Sequence, residues 1–407
     1  MERYSEYKDS GVQWLGEIPG HWGCVPLKRI CEMKSGNNLT SLDILDKGEF
    51  PVYGANGFRG YYNQYNKEGK YILIGRQGAL AGNVHLVDGK FWATDHAVVT
   101  NITSDKVFVD YISLALISMN LNQYAFDTAA QPGLAVSKII SFSTPLPPLS
   151  EQHSIVSFLD DKCGKIDKIL EGKQKQIELL AEMKQRIIAD AVTRGLNPDV
   201  KLKATNIPWL PEIPEHWEFT RNKTLLKLTD EKVGGRKDIT LLSLTKQGVI
   251  IRDLSEGKGK FPKDFDSYLV VRPNNLVFCL FDIDETPRTV GLVRNYGMLT
   301  GAYTNFEVNE SLVLPEYIYN YYLQVDNIKG LRPYYTGLRK VVKTGSFLQI
   351  RMPLPPLDEQ RAIVSYITGK TTKLDTLTSK LQQEIESIKE YKLRLISDVV
   401  TGQIKVC

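Results

Sequence analysis

A chain of 407 residues with 42% hydrophobic and 24% charged side chains is globular in composition, with room for roughly two to four domains that each bury a core. Its 51 Lys and Arg against 47 Asp and Glu leave a net charge of +4, too weak a bias to name an acidic partner by itself. No segment is apolar and long enough to span a bilayer, and five scattered cysteines (Cys24, Cys31, Cys163, Cys279, Cys407) with five unpaired histidines exclude a disulfide frame and a zinc site.

The first stretch, Met-Glu-Arg-Tyr-Ser-Glu-Tyr-Lys, lacks the apolar core of a signal peptide, so a cytoplasmic, non-membrane protein is expected. Residues 14–22 then read Trp-Leu-Gly-Glu-Ile-Pro-Gly-His-Trp, a proline turn between two tryptophans that pin the start of a globular unit. Short apolar and aromatic runs follow, at 50–57, 71–78 and 89–96, each ended or punctuated by turn-forming residues. These predict strands, with a helix around 108–122 after them, so the unit is mixed α/β.

At 146–152 the chain reads Leu-Pro-Pro-Leu-Ser-Glu-Gln and continues as an amphipathic segment to Arg194. Pro-Pro cannot sit inside a helix but can precede one, and Ser150 is placed to cap the amides that follow. Apolar residues recur in two rows, Ile166, Leu180 and Ile187 on one and Leu170, Ile177 and Ala191 on the other, with Lys173 and Lys184 interrupting. A rod is expected.

The third segment opens at 209–217 with Trp-Leu-Pro-Glu-Ile-Pro-Glu-His-Trp, seven of nine positions identical to the first opening. Strands are expected near 239–244, 269–271 and 276–280, and a Tyr-rich helix over 315–323, in which Tyr317, Tyr319, Tyr321 and Tyr322 read as packing residues. Residues 354–360, Leu-Pro-Pro-Leu-Asp-Glu-Gln, then begin a second rod with Asp358 at the capping position. Leu374, Leu381, Ile388 and Leu395 recur every seven residues there, with Ile385 and Val399 on the companion seam, a coiled-coil pattern.

The chain is therefore a duplication, in register over 208 positions through the rods, with nine of the first fourteen rod positions identical. Its plan is globular unit 1–149, rod region 150–202, globular unit 203–357 and rod region 358–407. Neither apolar seam can face water alone, so the two long helices are expected to pair as an antiparallel coiled coil within a pseudo-twofold repeat. The basic excess lies almost wholly in residues 203–353, with 21 basic and 17 acidic side chains, whereas residues 1–145 carry 13 and 14. Two related but divergent loop-rich units held by duplicated rods suit a duplex DNA ligand, whose base edges recur on one face once per helical turn.

The paired openings, the paired Leu-Pro-Pro-Leu-x-Glu-Gln stretches and Tyr53-Gly54-Ala55-Asn56-Gly57 together resemble the DNA specificity subunits of type I restriction-modification systems. The resemblance covers essentially the whole chain and rests on motifs in the right order. It implies a non-catalytic subunit with two target-recognition domains, each reading one part of a bipartite site in double-stranded DNA. It also implies rods that set the unread spacer and dock two modification (methyltransferase) subunits, with restriction (motor and nuclease) subunits joining them. No cofactor is expected in this chain; S-adenosylmethionine belongs to the modification partner.

Base contacts cannot be carried over from such a family position by position, so the candidates follow from chemistry. Bidentate Arg reads guanine, Asn or Gln reads adenine, and Lys, Arg, Ser or Tyr hold phosphates. In the first unit Asn56, Arg59, Tyr62, Arg76 and Gln77 sit on or beside glycine-rich turns, and Gln131 and Lys138 lie on a loop just before the rod. In the second unit Arg236 and Lys237 follow Gly234-Gly235, and Arg332, Tyr334, Tyr335, Arg339, Lys340 and Lys343 form a basic cluster with aromatic interleaving, expected to position phosphates. Helix pairing or partner docking is expected from Ile166, Leu170, Ile177, Leu180, Ile187, Leu374, Leu381, Ile385, Ile388 and Leu395.

Two other functions compete with that reading, a DNA-modifying enzyme with its own catalytic site and a coiled-coil scaffold. Against the first, no Asn/Asp-Pro-Pro-Tyr/Phe methyltransferase motif occurs. Gly369-Lys370-Thr371 lacks the first glycine of a phosphate loop and lies inside the second rod. Glu68-Gly69-Lys70 and Glu256-Gly257-Lys258 lack a preceding acidic pair.

Overall fold

Two helices of 46 and 44 residues, Leu149–Arg194 and Leu357–Val400, are the two rods. Each starts directly after its Pro-Pro pair, two residues earlier than Ser150 and Asp358 would allow as caps. In the first rod the amides of Glu151 and Gln152 donate to the Pro148 carbonyl at 2.9 and 3.0 Å, so Ser150 lies within the first turn. Asp358 likewise lies inside its helix and pairs with Arg361 at 2.7 Å. A proline just outside the first turn satisfies the entry geometry without a side-chain cap, because no N–H is needed there.

The computed structural model describes residues 2–78, 80–128, 131–252 and 265–406, with the side chains of 126–128 and 131–132 outside the described set. Each of its two units takes half of each rod. One comprises Met1–Gln174 with Gln382–Cys407, the other Lys175–Leu381. The sequence plan of unit, rod, unit, rod thus runs through an architecture in which every rod is shared between the units.

In the first unit the N-terminal half of the first rod packs on the C-terminal half of the second. Ile155, Leu159 and Ile166 lie in one buried cluster with Leu395, Ile396, Val399 and Val400, and Leu170 and Ile388 pack against it. Asp167 pairs with Lys392 at 2.6 Å and Lys173 pairs with Glu384, so numbering falls on one helix as it rises on the other. The pairing is antiparallel. Lys173, expected as an interruption of the seam, carries an ion pair across it, its stem half-buried and its ammonium on the partner helix's carboxylate.

The second unit repeats the arrangement with the remaining halves. Lys184 meets Asp375 at 2.7 Å, and Ile188, Ala191 and Val192 share a buried cluster with Ile363 and Ile367. Ile188 rather than the expected Ile187 is the buried residue on this face, since Ile187 is only half-buried. Along the middle of the rods Ile177, Leu180 and Leu374 are also half-buried, while Leu381 and Ile385 are buried.

On these rods each unit carries a four-stranded antiparallel sheet of the same order. In the first unit it runs Cys31–Ser35, Ala97–Ile102, Tyr71–Gly75, Val84–Val87, and in the second Leu226–Thr229, Thr304–Val308, Leu276–Phe278, Val290–Leu292. A helix backs each sheet, Val109–Ser118 in the first and Pro315–Asn327 in the second. In the latter, Tyr317, Tyr321 and Tyr322 are buried, as their reading as packing residues requires.

Three clamps, two made alike in both units and a third made in full only in the first, hold these globular parts to the rods. The Gln152 side chain accepts the Phe108 amide at 2.8 Å and donates to the carbonyls of Lys106 (3.0 Å) and Pro147 (2.9 Å). Gln360 accepts from Leu314 at 2.8 Å and donates to Leu312 (3.1 Å) and Pro355 (2.9 Å). Phe108 and Leu314 immediately precede the backing helices, so one amide side chain fixes the start of each helix on a rod.

The hydroxyls of Tyr111 and Tyr317 form the second clamp, donating to the last-turn carbonyls of Val400 (3.1 Å) and Val192 (3.5 Å). The third joins the two duplicated motifs. Glu151 receives His21 at 2.6 Å, Trp22 Nε1 at 2.9 Å and the Tyr4 hydroxyl at 3.0 Å, and Glu359 receives His216 at 2.8 Å. The tryptophans Trp22 and Trp217 are fully buried against the rods, as their position in the openings suggested.

Partial burial pushes the Glu151 carboxyl up, but the donors from His21, Trp22 and Tyr4 outweigh it, and its pKa falls below the ordinary 4.5. A depressed carboxyl contributes stability that is present above its unfolded pKa and lost as the pH falls through its folded value. The advantage of wild type over Glu151→Gln in urea unfolding is therefore expected to shrink as the pH drops below 4.5. A difference that stays constant or grows on acidification would remove this clamp from the account.

Candidate nucleic-acid interface

In the first unit two of the sequence candidates are joined by backbone. At the end of the Tyr71–Gly75 strand the Arg76 amide donates to His96 at 2.9 Å, the Arg76 carbonyl accepts from Leu134 at 2.8 Å, and Gln77 bridges to Gly133. The loop before the rod is thereby laid on the loop after the core strand. A third candidate turn is adjacent, because a Cβ on Gly75 would come within 2.3 Å of the Ala55 carbonyl, which only glycine permits.

Asn56 and Gln77 are exposed at this junction. The Asn56 side-chain oxygen accepts from Asn83 (3.3 Å), whose own oxygen accepts from Asn122 (3.2 Å), so a chain of amides orients Asn56 from below. His85 supports the same turn: its ring would lie 3.0 Å from a Cβ on Gly57, and burial lowers its pKa, favouring the neutral imidazole. Arg76 donates to Ser35 Oγ at 3.1 Å, and Arg59 is exposed with its stem over Gly54.

Two candidates of the first unit are engaged in packing. Tyr62 is half-buried with its ring edge-on to Trp92, centroids 5.1 Å apart, and Lys138 lies over the Tyr124 ring at 5.6 Å. The side chain of Gln131 lies outside the described residues, as do Lys258, Lys260 and the Glu256-Gly257-Lys258 stretch.

The second unit repeats the backbone crossing: Val342 donates to Leu280 at 2.8 Å and Asp282 donates to Arg339 at 3.0 Å. Here the side chains differ from the expectation of an open basic cluster. Arg332 binds Asp284 at 3.0 Å, Arg339 binds Asp282 at 2.9 Å, and Lys340 binds Glu285 at 2.7 Å and Asp284 at 3.1 Å. The Tyr335 hydroxyl donates to Asp284 at 3.0 Å.

Arg332, with Lys340 and Tyr335 beside it, brings the Asp284 carboxyl down to about 2. Burial and the Asp284 charge push Tyr335 up to about 12. Three cations thus face three carboxylates, and the cluster is neutralised within the fold, with Leu338 fully exposed at the tip of its loop.

Lys343 stays exposed outside that network, and Tyr334 stands edge-on to Trp209, centroids 5.9 Å apart. Arg236 is spent on its own turn, donating to the carbonyls of Val233 and Lys232 and pairing with Glu231 at 2.7 Å. Val233 belongs to a separate small core with Leu241, Val270 and Met298, and Lys237 is exposed next to Arg236. Reading the sequence missed the acidic loop 282–285 and the clamp residues Gln152, Gln360, Glu151 and Glu359. The last four were visible only as identities between the two copies.

Among the described residues no cluster of His, Cys, Asp or Glu could hold a metal ion, and no helix is long and apolar enough to cross a membrane. Residues 19–179 match the family model of the type I restriction modification DNA specificity domain. The chain is 40% identical over 164 residues to the type I restriction enzyme EcoprrI specificity subunit of Escherichia coli, a match spanning 39% of this chain and 40% of that protein. It is 24% identical to the putative type I restriction enzyme MjaX specificity subunit of Methanocaldococcus jannaschii, over 96% of each.

Among solved structures, a chain from a study of complex assembly and conformational transition of the type I R-M system shares the fold. It has a TM-score of 0.64 at 13% identity, with 95% of this chain and 99% of that one covered. With duplicated clamps in both units, a family-model match in the first and a relative matched along its whole length at 24% identity, the chain is similar to the DNA specificity subunits of type I restriction-modification systems.

Proposed function

We propose that each unit reads one half of a bipartite site in double-stranded DNA, and that the shared rods fix the unread gap and dock two modification subunits, with restriction subunits joining through them. S-adenosylmethionine would be bound by the modification partner. The observation that carries this reading is the contrast between repeated clamps and different loops. Gln152 and Gln360, and Tyr111 and Tyr317, make the same bonds in both units, and Glu151 and Glu359 each take a histidine, while the crossing loops present Arg76 and Gln77 in one and an acid-neutralised hairpin in the other. A frame built twice with two different tips suits a reader of two different half-sites.

Asn56→Ala or Gln77→Ala is expected to relax one base position in one half-site and to weaken binding there by about 1–3 kcal/mol, the worth of a bidentate contact. Lys343→Ala is expected to weaken all sequences together and to flatten the salt dependence by about one unit. Binding of the assembled complex to a library of single-base variants at several salt concentrations measures both. Loss of discrimination in both halves at once from either first-unit substitution would contradict the assignment of one half to each unit.

A further inference from the structure

On the second unit, strands Glu218–Arg221 and Arg351–Leu354 pair antiparallel, with Arg221 directly opposite Arg351. Like charges facing each other across an antiparallel pair repel, and such a pair is normally answered by a nearby carboxylate. Both arginines are exposed, and among the described residues neither has an ion-pair partner. Most other arginines of this unit are paired with a carboxylate, including Arg236, Arg272, Arg288, Arg294, Arg332 and Arg339.

The two guanidinium groups also share a concavity. Arg221 and Arg351 line a cleft of about 460 Å³ with Asn206, Tyr334, Ser346 and Gln349, so side-chain donors of neutral type surround the two cations. The corresponding strand pair of the first unit, Gly23–Pro26 with Ser143–Leu146, has Pro26 opposite Ser143 at this register and carries no cation there. The feature is therefore private to the unit that holds the basic excess.

We propose that this cleft binds a phosphate group, held by the forked donors of Arg221 and Arg351 with Ser346 and Gln349 supplementing them. Planar guanidinium pairs match phosphate oxygens bidentately, which a pair of lysines would not do. The phosphate is that of the DNA backbone or a free phosphate. Tyr334, which lines the cleft, belongs to the segment that leads into the exposed hairpin, and this favours the backbone. The backbone assignment rests on the DNA-reading function proposed above, whereas phosphate binding by the cleft does not.

The test uses the full chain with its modification partner, comparing wild type with Arg221→Gln/Arg351→Gln. In inorganic phosphate, against chloride at equal ionic strength, wild type is expected to gain thermal stability and the double variant to gain none. Without phosphate, the double variant is expected to be at least as stable as wild type, because a repulsive pair is relieved. On duplex DNA, the variant's salt slope is expected to flatten by about one unit, equally for cognate and unrelated sequences. Loss of the phosphate effect with an unchanged DNA slope would assign the cleft to a free phosphate. No phosphate effect in wild type, or a double variant less stable in chloride, would overturn the proposal, whatever the complex then does on DNA.

Discussion

Gln152→Leu is expected to destabilise the first unit by roughly 2–5 kcal/mol, because it leaves the Phe108 amide and the carbonyls of Lys106 and Pro147 without their partner while conserving volume. Gln152 is completely buried, so water cannot replace the lost amide at the Pro147 side of the site. Gln360→Leu should produce a loss of the same order in the second unit, since Gln360 makes the same three bonds to Leu314, Leu312 and Pro355. Hydrogen exchange separates the two effects: the first substitution should expose the amides around 106–118, and the second those around 312–325. Equal loss of protection in both units from either substitution would mean that the clamps are not local to their units.

A charge placed in the rod seam is the second large effect. Leu395 is 3% exposed and lies in the buried cluster with Ile155, Leu159 and Ile166 of the first rod. Leu395→Asp removes that packing and places a carboxylate among apolar side chains, where neither of the nearby ion pairs, Asp167 with Lys392 or Lys173 with Glu384, can serve it without giving up its own partner. A loss of about 4 kcal/mol or more is expected, enough to unpair the rods in this unit. Urea unfolding would show an early transition, and co-purification with the modification subunit should fail. If the variant unfolded like wild type and still assembled, the rod account would be wrong.

Much of this fold was legible in the sequence, for physical reasons. A heptad of Leu374, Leu381, Ile388 and Leu395 has one stable solution, a partner helix, and the Pro-Pro pairs fix where each rod can begin to within a residue. The Trp-rich openings announced buried anchors, and Trp22 and Trp217 are fully buried. Antiparallel pairing was read from the seams, but the sharing of each rod between units was not, because it depends on which half of each rod the globular segments pack against.

The candidate interface was legible in part. Arg76, Gln77 and Asn56 were chosen because they sit on glycine turns, and the backbone brings their loops together. The ion pairing of the second unit's basic cluster was not legible, because its carboxylates, Asp282, Asp284 and Glu285, lie 48 to 57 residues away in the chain. Lys173 misled: a charge that breaks an apolar row looks like a flaw until Glu384 is seen across the seam. Local pattern reports what a residue can do, and only the fold reports which partner has already claimed it.

Under the proposed function, one chain reads two half-sites through two units on one frame. Co-expression with the modification subunit from the same source, followed by single-molecule sequencing of host DNA for N6-methyladenine, tests it most directly. The expected result is methylation at a split motif with a gap of invariant length, absent when this chain is omitted. Methylation at a continuous motif, or equal methylation without the chain, would contradict it.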